Sequence, residues 1–295
     1  MKHSSRLLPT AICAGLVSLA FTLNPARAEI AVKSGEKIAF LGDSITAGGW
    51  GNPAGYVNLV IAGFAANGVT ATPIPAGISG HKSNQMLERL DRDVLSKKPH
   101  WMTLSCGVND VWHGKFGVPL DDAQAAAQTY EKRGTEPDKG TYKKNITQIV
   151  EKAQAAGAQP VILTATVIKE DLNTPENKAL APYNAFLRDL AKAKKVRIAD
   201  LNTTFQERIK AANTPGKNAF TSDGVHMNGE GNKLMALGVL SAFGLNDAQL
   251  KKAQESWPAL EAKAAEAAKA AAAKKAADAE KKKADEAAKP VPAAK

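Results

Sequence analysis

Short apolar runs alternate with stretches of helical periodicity from Glu36 to Gly244. The runs KIAFLG (37–42), VTATPIPA (69–76), WMTLSC (101–106), PVILTAT (160–166) and VRIADL (196–201) have the length and composition of buried strands. Between and after them, helical spacing predicts helices near 54–67, 83–97, 141–156, 175–194 and 229–242. In the first of these, Tyr56, Leu59, Val60 and Phe64 share one face and read as core, as does Trp101 at the start of its strand. Strands alternating with helices predict an α/β fold, a parallel sheet covered by helices on both faces. From Trp112 to Thr141 the alternation lapses into a connection long for such a fold, so this segment is either functional, as a lid or rim, or disordered.

The two ends do not share this pattern. Lys2 and Arg6 precede an apolar run from Leu7 to Leu23, and Ala26 and Ala28 stand where a signal peptidase needs small residues. A signal peptide over 1–28, cut after Ala28, predicts a secreted or periplasmic protein; a retained anchor is the alternative, but Ser18, Thr22 and Pro25 break the run. From Pro258 to Lys295 the chain turns to Ala, Lys and Glu without an apolar stripe, which predicts a solvated helical or fluctuating tail. That tail is a spacer or makes a contact with the cell envelope. The folded unit is therefore expected over 29–257, as a monomer.

Charge and cysteine content narrow the function. Of the net +10, the signal segment supplies +3 through Lys2, Arg6 and Arg27, and nine lysines against six acids over 261–295 supply +3. The remaining +4 is too diffuse for a nucleic-acid face. Cys13 leaves with the signal, so Cys106 has no internal partner and reads as a buried structural thiol.

In an open α/β sheet, ligands bind at the carboxyl ends of the strands. The residues found there are Gly42-Asp43-Ser44, Ile78-Ser79-Gly80 and Gly107-Val108-Asn109-Asp110, and a late loop carries Asp223-Gly224-Val225-His226. A serine hydroxyl needs a base, and His226 can serve, oriented by Asp223 three residues earlier. Backbone N–H groups of Ser44 and Gly80, with the Asn109 amide, would then receive the oxyanion. Each residue alone has a plainer reading: Ser44 as a helix cap, Asp223 and Asn109 as turn formers, His226 as a surface histidine. The lipase elbow G-x-S-x-G is missing around Ser44, which argues against the ordinary α/β-hydrolase fold.

The blocks GDSIT, ISG, GVND and DGVH, in this order, resemble those of the SGNH (GDSL-type) hydrolases. The resemblance implies a flavodoxin-like three-layer α/β/α fold with a five-stranded parallel sheet. It also implies Ser44 as nucleophile, Gly80 and Asn109 as oxyanion-hole donors, His226 as base and Asp223 as its partner. Asp43, Trp50, His81, Trp112 and His113 lie near these blocks and are candidate substrate contacts, the tryptophans as a sugar-stacking or apolar wall.

A metal is not expected, because the four histidines after the signal show no i, i+4 pair, and no phosphate-binding Gly-rich loop follows a strand. Asn145-Ile-Thr and Asn202-Thr-Thr match the glycosylation sequon. The expected function is a cofactor-independent serine esterase acting on a small-molecule or glycan ester, with O-acetyl carbohydrate favoured. The alternatives are a lysophospholipase or thioesterase, and a non-catalytic glycan-binding envelope protein.

Overall fold

The apolar runs become β1 (Lys37–Gly42), β2 (Thr72–Gly77), β3 (Trp101–Ser105), β4 (Gln159–Leu163) and β5 (Arg197–Ala199). All five pair in parallel in one sheet of order β2-β1-β3-β4-β5. The computed structural model describes residues 29–127, 140–214 and 216–287. The expected signal segment, part of the long connection and the end of the tail lie outside these residues.

Helices α1 (Ser44–Gly51) and α2 (Tyr56–Ala66) link β1 to β2, and α3 (Ser83–Asp93) links β2 to β3. Between β3 and β4 come α4 (Val108–Trp112), α5 (Asp122–Ala127) and α6 (Tyr142–Ala155), and α7 (Pro175–Lys194) leads to β5. After it come α8 (Leu201–Ala212), α9 (Gly229–Ala242), α10 (Asp247–Glu255) and α11 (Pro258–Ala287). The helices sort by contact into two groups: α2 packs on α9 and α10, with α8 on α9, while α6 packs on α3 and α7. These are the two outer layers around the sheet.

Burial on both faces explains the strand sequences. Ile38, Ala39, Phe40 and Leu41 of β1 are all buried, so the run is continuously apolar instead of alternating. β2 lies at the sheet edge and carries Pro73 and Pro75, which lack an N–H and are tolerated where one side of a strand has no partner. In α7, Thr174 caps the start by accepting from the Asn177 N–H, and Leu180, Tyr183, Leu187 and Leu190 form the buried stripe. The chain after α10 is pinned by Trp257, which is fully enclosed and donates its indole N–H to the Leu59 carbonyl at 3.0 Å. Beyond it α11 runs for 30 residues, and its first turn meets the body through Leu260 and the Glu261–Lys233 ion pair.

The carboxyl edge of the sheet rests on a buried polar layer. Asp110 accepts from the Ser83 N–H at 3.0 Å and hydroxyl at 2.6 Å, and the Cys106 thiol lies 3.4 Å from it. Asn145 donates to the Ser83 hydroxyl, and the Tyr142 hydroxyl donates to the Cys106 carbonyl. Beside them Asp43 caps α1, accepting from the Ile45 N–H at 2.9 Å. Burial pushes the Asp43 carboxyl up to about 7, with the neighbouring Asp110 adding to the effect, and Asp110 is raised for the same first reason. The Cys106 thiol is also raised by burial, in keeping with its structural reading.

Two predictions concern stability. Trp257→Ala removes a filled site and one hydrogen bond, and should lower unfolding free energy by about 3–5 kcal/mol in urea titrations. For Asp43 the folded carboxyl keeps its proton in a range where the unfolded chain, near its ordinary 3.8, has released it. Its contribution is therefore complete below about pH 4 and is lost as pH rises through about 7. Asp43→Asn keeps the acceptor for Ile45 but cannot ionise, so its urea midpoint should fall less over this window; an identical fall would remove Asp43 as the cause.

Candidate active site

Three consecutive strand ends and one late loop build the site. β1 ends at Gly42, and the chain turns at once into α1, whose first residue is Ser44. A Cβ at position 42 would lie 2.0 Å from the Thr46 hydroxyl oxygen, so the turn requires glycine. The order of strands places β1 and β2 to one side and β3 to the other, which opens a crevice between the ends of β1 and β3. Ser44 and Asn109 sit at that crevice.

The late loop brings His226, the expected base. His226 Nε2 lies 2.8 Å from Ser44 Oγ across 182 residues of sequence, and its Nδ1 lies 2.6 Å from Asp223 Oδ2. Asp223 also accepts from the backbone N–H groups of Val225 and His226 through Oδ1, at 3.0 and 2.8 Å. Partial desolvation works to raise the Asp223 carboxyl, but the hydrogen bonds from His226 and Val225 outweigh it and hold it at about 2. An ionised Asp223 accepts a hydrogen bond from Nδ1–H, which leaves Nε2 with its lone pair towards the Ser44 hydroxyl.

The loop is itself held by a residue that sequence reasoning missed. Glu170, after β4, accepts from the N–H groups of Ala219, Phe220 and Thr221 at 2.7, 2.9 and 2.7 Å, and from the Thr221 hydroxyl at 2.7 Å. Next to it the Lys169 N–H donates to the Gly224 carbonyl at 2.7 Å. One carboxylate thus fixes the chain leading into Asp223. Nothing in the local pattern around Glu170 marks this role, because every partner is some fifty residues away.

The expected oxyanion donors lie on separate loops. The Ser44 N–H is in the first turn of α1, where no intrahelical acceptor exists, and the Gly80 N–H meets no acceptor among the described residues. Gly80 has φ +79°, a left-handed backbone that a side chain would strain. Asn109 is buried in α4 and spends one amide N–H on the His81 carbonyl at 3.2 Å, leaving the second.

The five candidate contacts separate. Trp112 is brought to the site: its ring packs edge-on to His226 at 6.4 Å and is 40% exposed. His113 leans on Trp112 at 6.0 Å. Trp50 is 41% exposed but stands in the last turn of α1, away from Ser44 along the helix. The His81 ring is turned to Arg89, whose Nε–H it accepts at 3.1 Å, and desolvation, then Arg89, lowers its pKa. Asp43 corrects the expectation of a substrate contact: it is 2% exposed and serves as the helix cap, because a carboxylate there satisfies N–H groups of the first turn.

The sequon asparagines are also buried and engaged, Asn145 with Ser83 and Asn202 with the Thr166 carbonyl, so neither is an accessible glycosylation site. Among the described residues no three His, Cys, Asp or Glu side chains group as a metal site requires.

The model of the GDSL-like Lipase/Acylhydrolase family matches residues 40–234. An acetylxylan esterase of Geobacillus stearothermophilus is 24% identical over 228 residues, which cover 72% of this chain and 96% of that relative. The crystal structure of Axe2, an acetylxylan esterase from the same organism, has a TM-score of 0.60 at 23% identity over 73% of this chain and 97% of Axe2, a likeness of fold. The acetyl xylan esterase AlAXEase has a TM-score of 0.58 at 30% identity, over 70% of this chain and 98% of its own. With the family match running from β1 into α9, and a 30% identical structure covered almost end to end, the chain belongs to the GDSL-like lipase/acylhydrolase (SGNH) family and is a carboxylic ester hydrolase.

Proposed function

We propose that this hydrolase works through an acyl-enzyme on Ser44 and that its substrates are O-acetylated carbohydrates. The observation that carries the mechanism is the continuous chain from Ser44 Oγ through the His226 ring to Asp223, at 2.8 and 2.6 Å. In the first half-reaction His226 takes the Ser44 proton while Oγ attacks the acyl carbon. The oxyanion is received by the N–H groups of Ser44 and Gly80 and by the free amide N–H of Asn109. Asp223 stabilises the imidazolium, which then protonates the leaving alcohol. In the second half-reaction His226 deprotonates a water that attacks the acyl carbon, the acid leaves, and Ser44 regains its proton. The scheme calls on no cofactor.

The substrate reading rests on the openness of the site and on the relatives. The His226 and Asp223 side chains are 38% and 50% exposed, and the indole of Trp112 stands beside them. An open serine beside an aromatic face suits a small acyl group on a sugar that stacks on the ring, whereas a long acyl chain needs an enclosed apolar channel. The relatives at 24% and 30% identity are acetylxylan esterases. We further assign the segment before Glu29 as a cleaved export signal, which makes the enzyme secreted or periplasmic, and α11 as a spacer outside the catalytic unit. No helix among the described residues is long and apolar enough to cross a membrane.

Two measurements test this. Ser44→Ala should lower kcat on p-nitrophenyl acetate by about 10⁴-fold or more, and Asn109→Ala by about 10²–10³-fold. Undiminished turnover in Ser44→Ala would sink the serine mechanism. Acetate should be released from acetylated xylan, with little hydrolysis of a p-nitrophenyl palmitate; the reverse preference would replace the carbohydrate reading with a lipid one.

A further inference from the structure

The three oxyanion donors come from three different connections, after β1, β2 and β3, and no hydrogen bond between neighbours in sequence sets the distances among them. Longer-range contacts must: the Ile78 N–H donates to the Gly42 carbonyl at 3.0 Å, and a buried side chain adds to this tie. Arg89, in the middle of α3, is 3% exposed, and its guanidinium bonds chain segments next to these donors. Nη2 donates to the Gly42 carbonyl at 2.9 Å, Nη1 to the Ala76 carbonyl at 2.9 Å, and Nε to His81 Nδ1 at 3.1 Å. Nη1 also meets Asp93 at 3.1 Å.

Each partner leads directly to a donor. Gly42 is two residues before Ser44. Ala76 lies near the end of β2, the strand that leads into Gly80. His81 follows Gly80, and its own carbonyl takes the Asn109 amide at 3.2 Å. By donating to His81 Nδ1, Arg89 also selects the ring tautomer with its proton on Nε2.

We propose that Arg89 is a positioning residue for the esterase reaction, its planar guanidinium holding the Ser44, Gly80 and Asn109 donors at the separation the oxyanion requires. The proposal rests on the Ser44 mechanism above. A buried cation is expensive in desolvation, and burial is the first cause lowering the Arg89 pKa. Filling space alone does not require one, since a methionine fits such a site without that cost. What only the guanidinium supplies is several N–H donors in a rigid fork. Lysine, with its charge on one flexible point, cannot reach two strand carbonyls and an imidazole in that geometry.

The test uses the full chain carrying Arg89→Lys or Arg89→Met, with thermal midpoints recorded. Both should lower kcat on p-nitrophenyl acetate by about 10²-fold with KM within about twofold. The acid limb of the pH–rate profile should stay in place, because neither substitution touches His226 or Asp223. Affinity for phenylboronic acid, whose tetrahedral adduct on Ser44 mimics the oxyanion intermediate, should fall in step with kcat. A folded variant with wild-type kcat overturns the proposal, and so does a kcat loss with unchanged boronate affinity. If neither variant folds, His81→Ala decides. It keeps both strand carbonyl bonds, removes the Arg89 bond to the segment carrying Gly80, and should lower kcat about tenfold at constant KM. Unchanged kcat there also overturns the proposal. Full turnover in Ser44→Ala would defeat the serine mechanism itself; an inactive Ser44→Ala beside fully active Arg89 and His81 variants would defeat this proposal alone.

Discussion

A parallel sheet delivers every strand's carboxyl end to one edge, and the rest of this molecule is arranged around that constraint. Because β1 is followed by its neighbour on one side and then by β3 on the other, the helices that leave β1 and β3 diverge and open a crevice. Ser44 and Asn109 inherit their positions from that divergence. The late loop has no strand to place it. Glu170, from the connection after β4, holds it by gathering three backbone N–H groups ahead of Asp223, and the Lys169 N–H adds a bond to the Gly224 carbonyl. The sheet places the Ser44 half of the site, and a single carboxylate anchors the chain that leads to the His226 half.

Two aspartates near Ser44 show how one side chain type serves opposite ends. Asp43 is enclosed, and burial lifts its carboxyl to about 7. Asp223 is half exposed and surrounded by donors, which hold it at about 2. The first therefore acts as a cap at the edge of ionisation and the second as a permanent anion beside the imidazole. Local environment, rather than distance to the serine, sorts them into structural and chemical roles.

Much of this was legible in the chain. The β1 run and the apolar face of α2 depend on local patterns, and the structure places them as expected; the four short blocks, three at strand ends and one on the late loop, come together at one edge of the sheet. Less was legible wherever tertiary contact overrides local preference. α1 contains Gly48, Gly49 and Gly51 and reads as a loop, yet it is helical, capped by Asp43 and packed on β2. The partners of Glu170 and Arg89 are distant in sequence, and neither residue stands in a recognisable motif. Asp43 reads as a site residue from its neighbours, but its burial could be seen only once the polar layer beneath α4 was in view.

Helix α11 changes how the whole molecule moves through solvent. At 1.5 Å per residue its 30 residues extend about 45 Å, more than the roughly 30 Å breadth of a small domain. Most of it projects into solvent, exposed on all sides. A body with such a rod tumbles anisotropically and drags more solvent than a sphere of equal mass. Gel filtration calibrated with globular standards will therefore overstate the mass, and a single copy will elute where a larger particle is expected. For this chain, a mass from light scattering or sedimentation equilibrium is the measure of oligomeric state that shape does not distort.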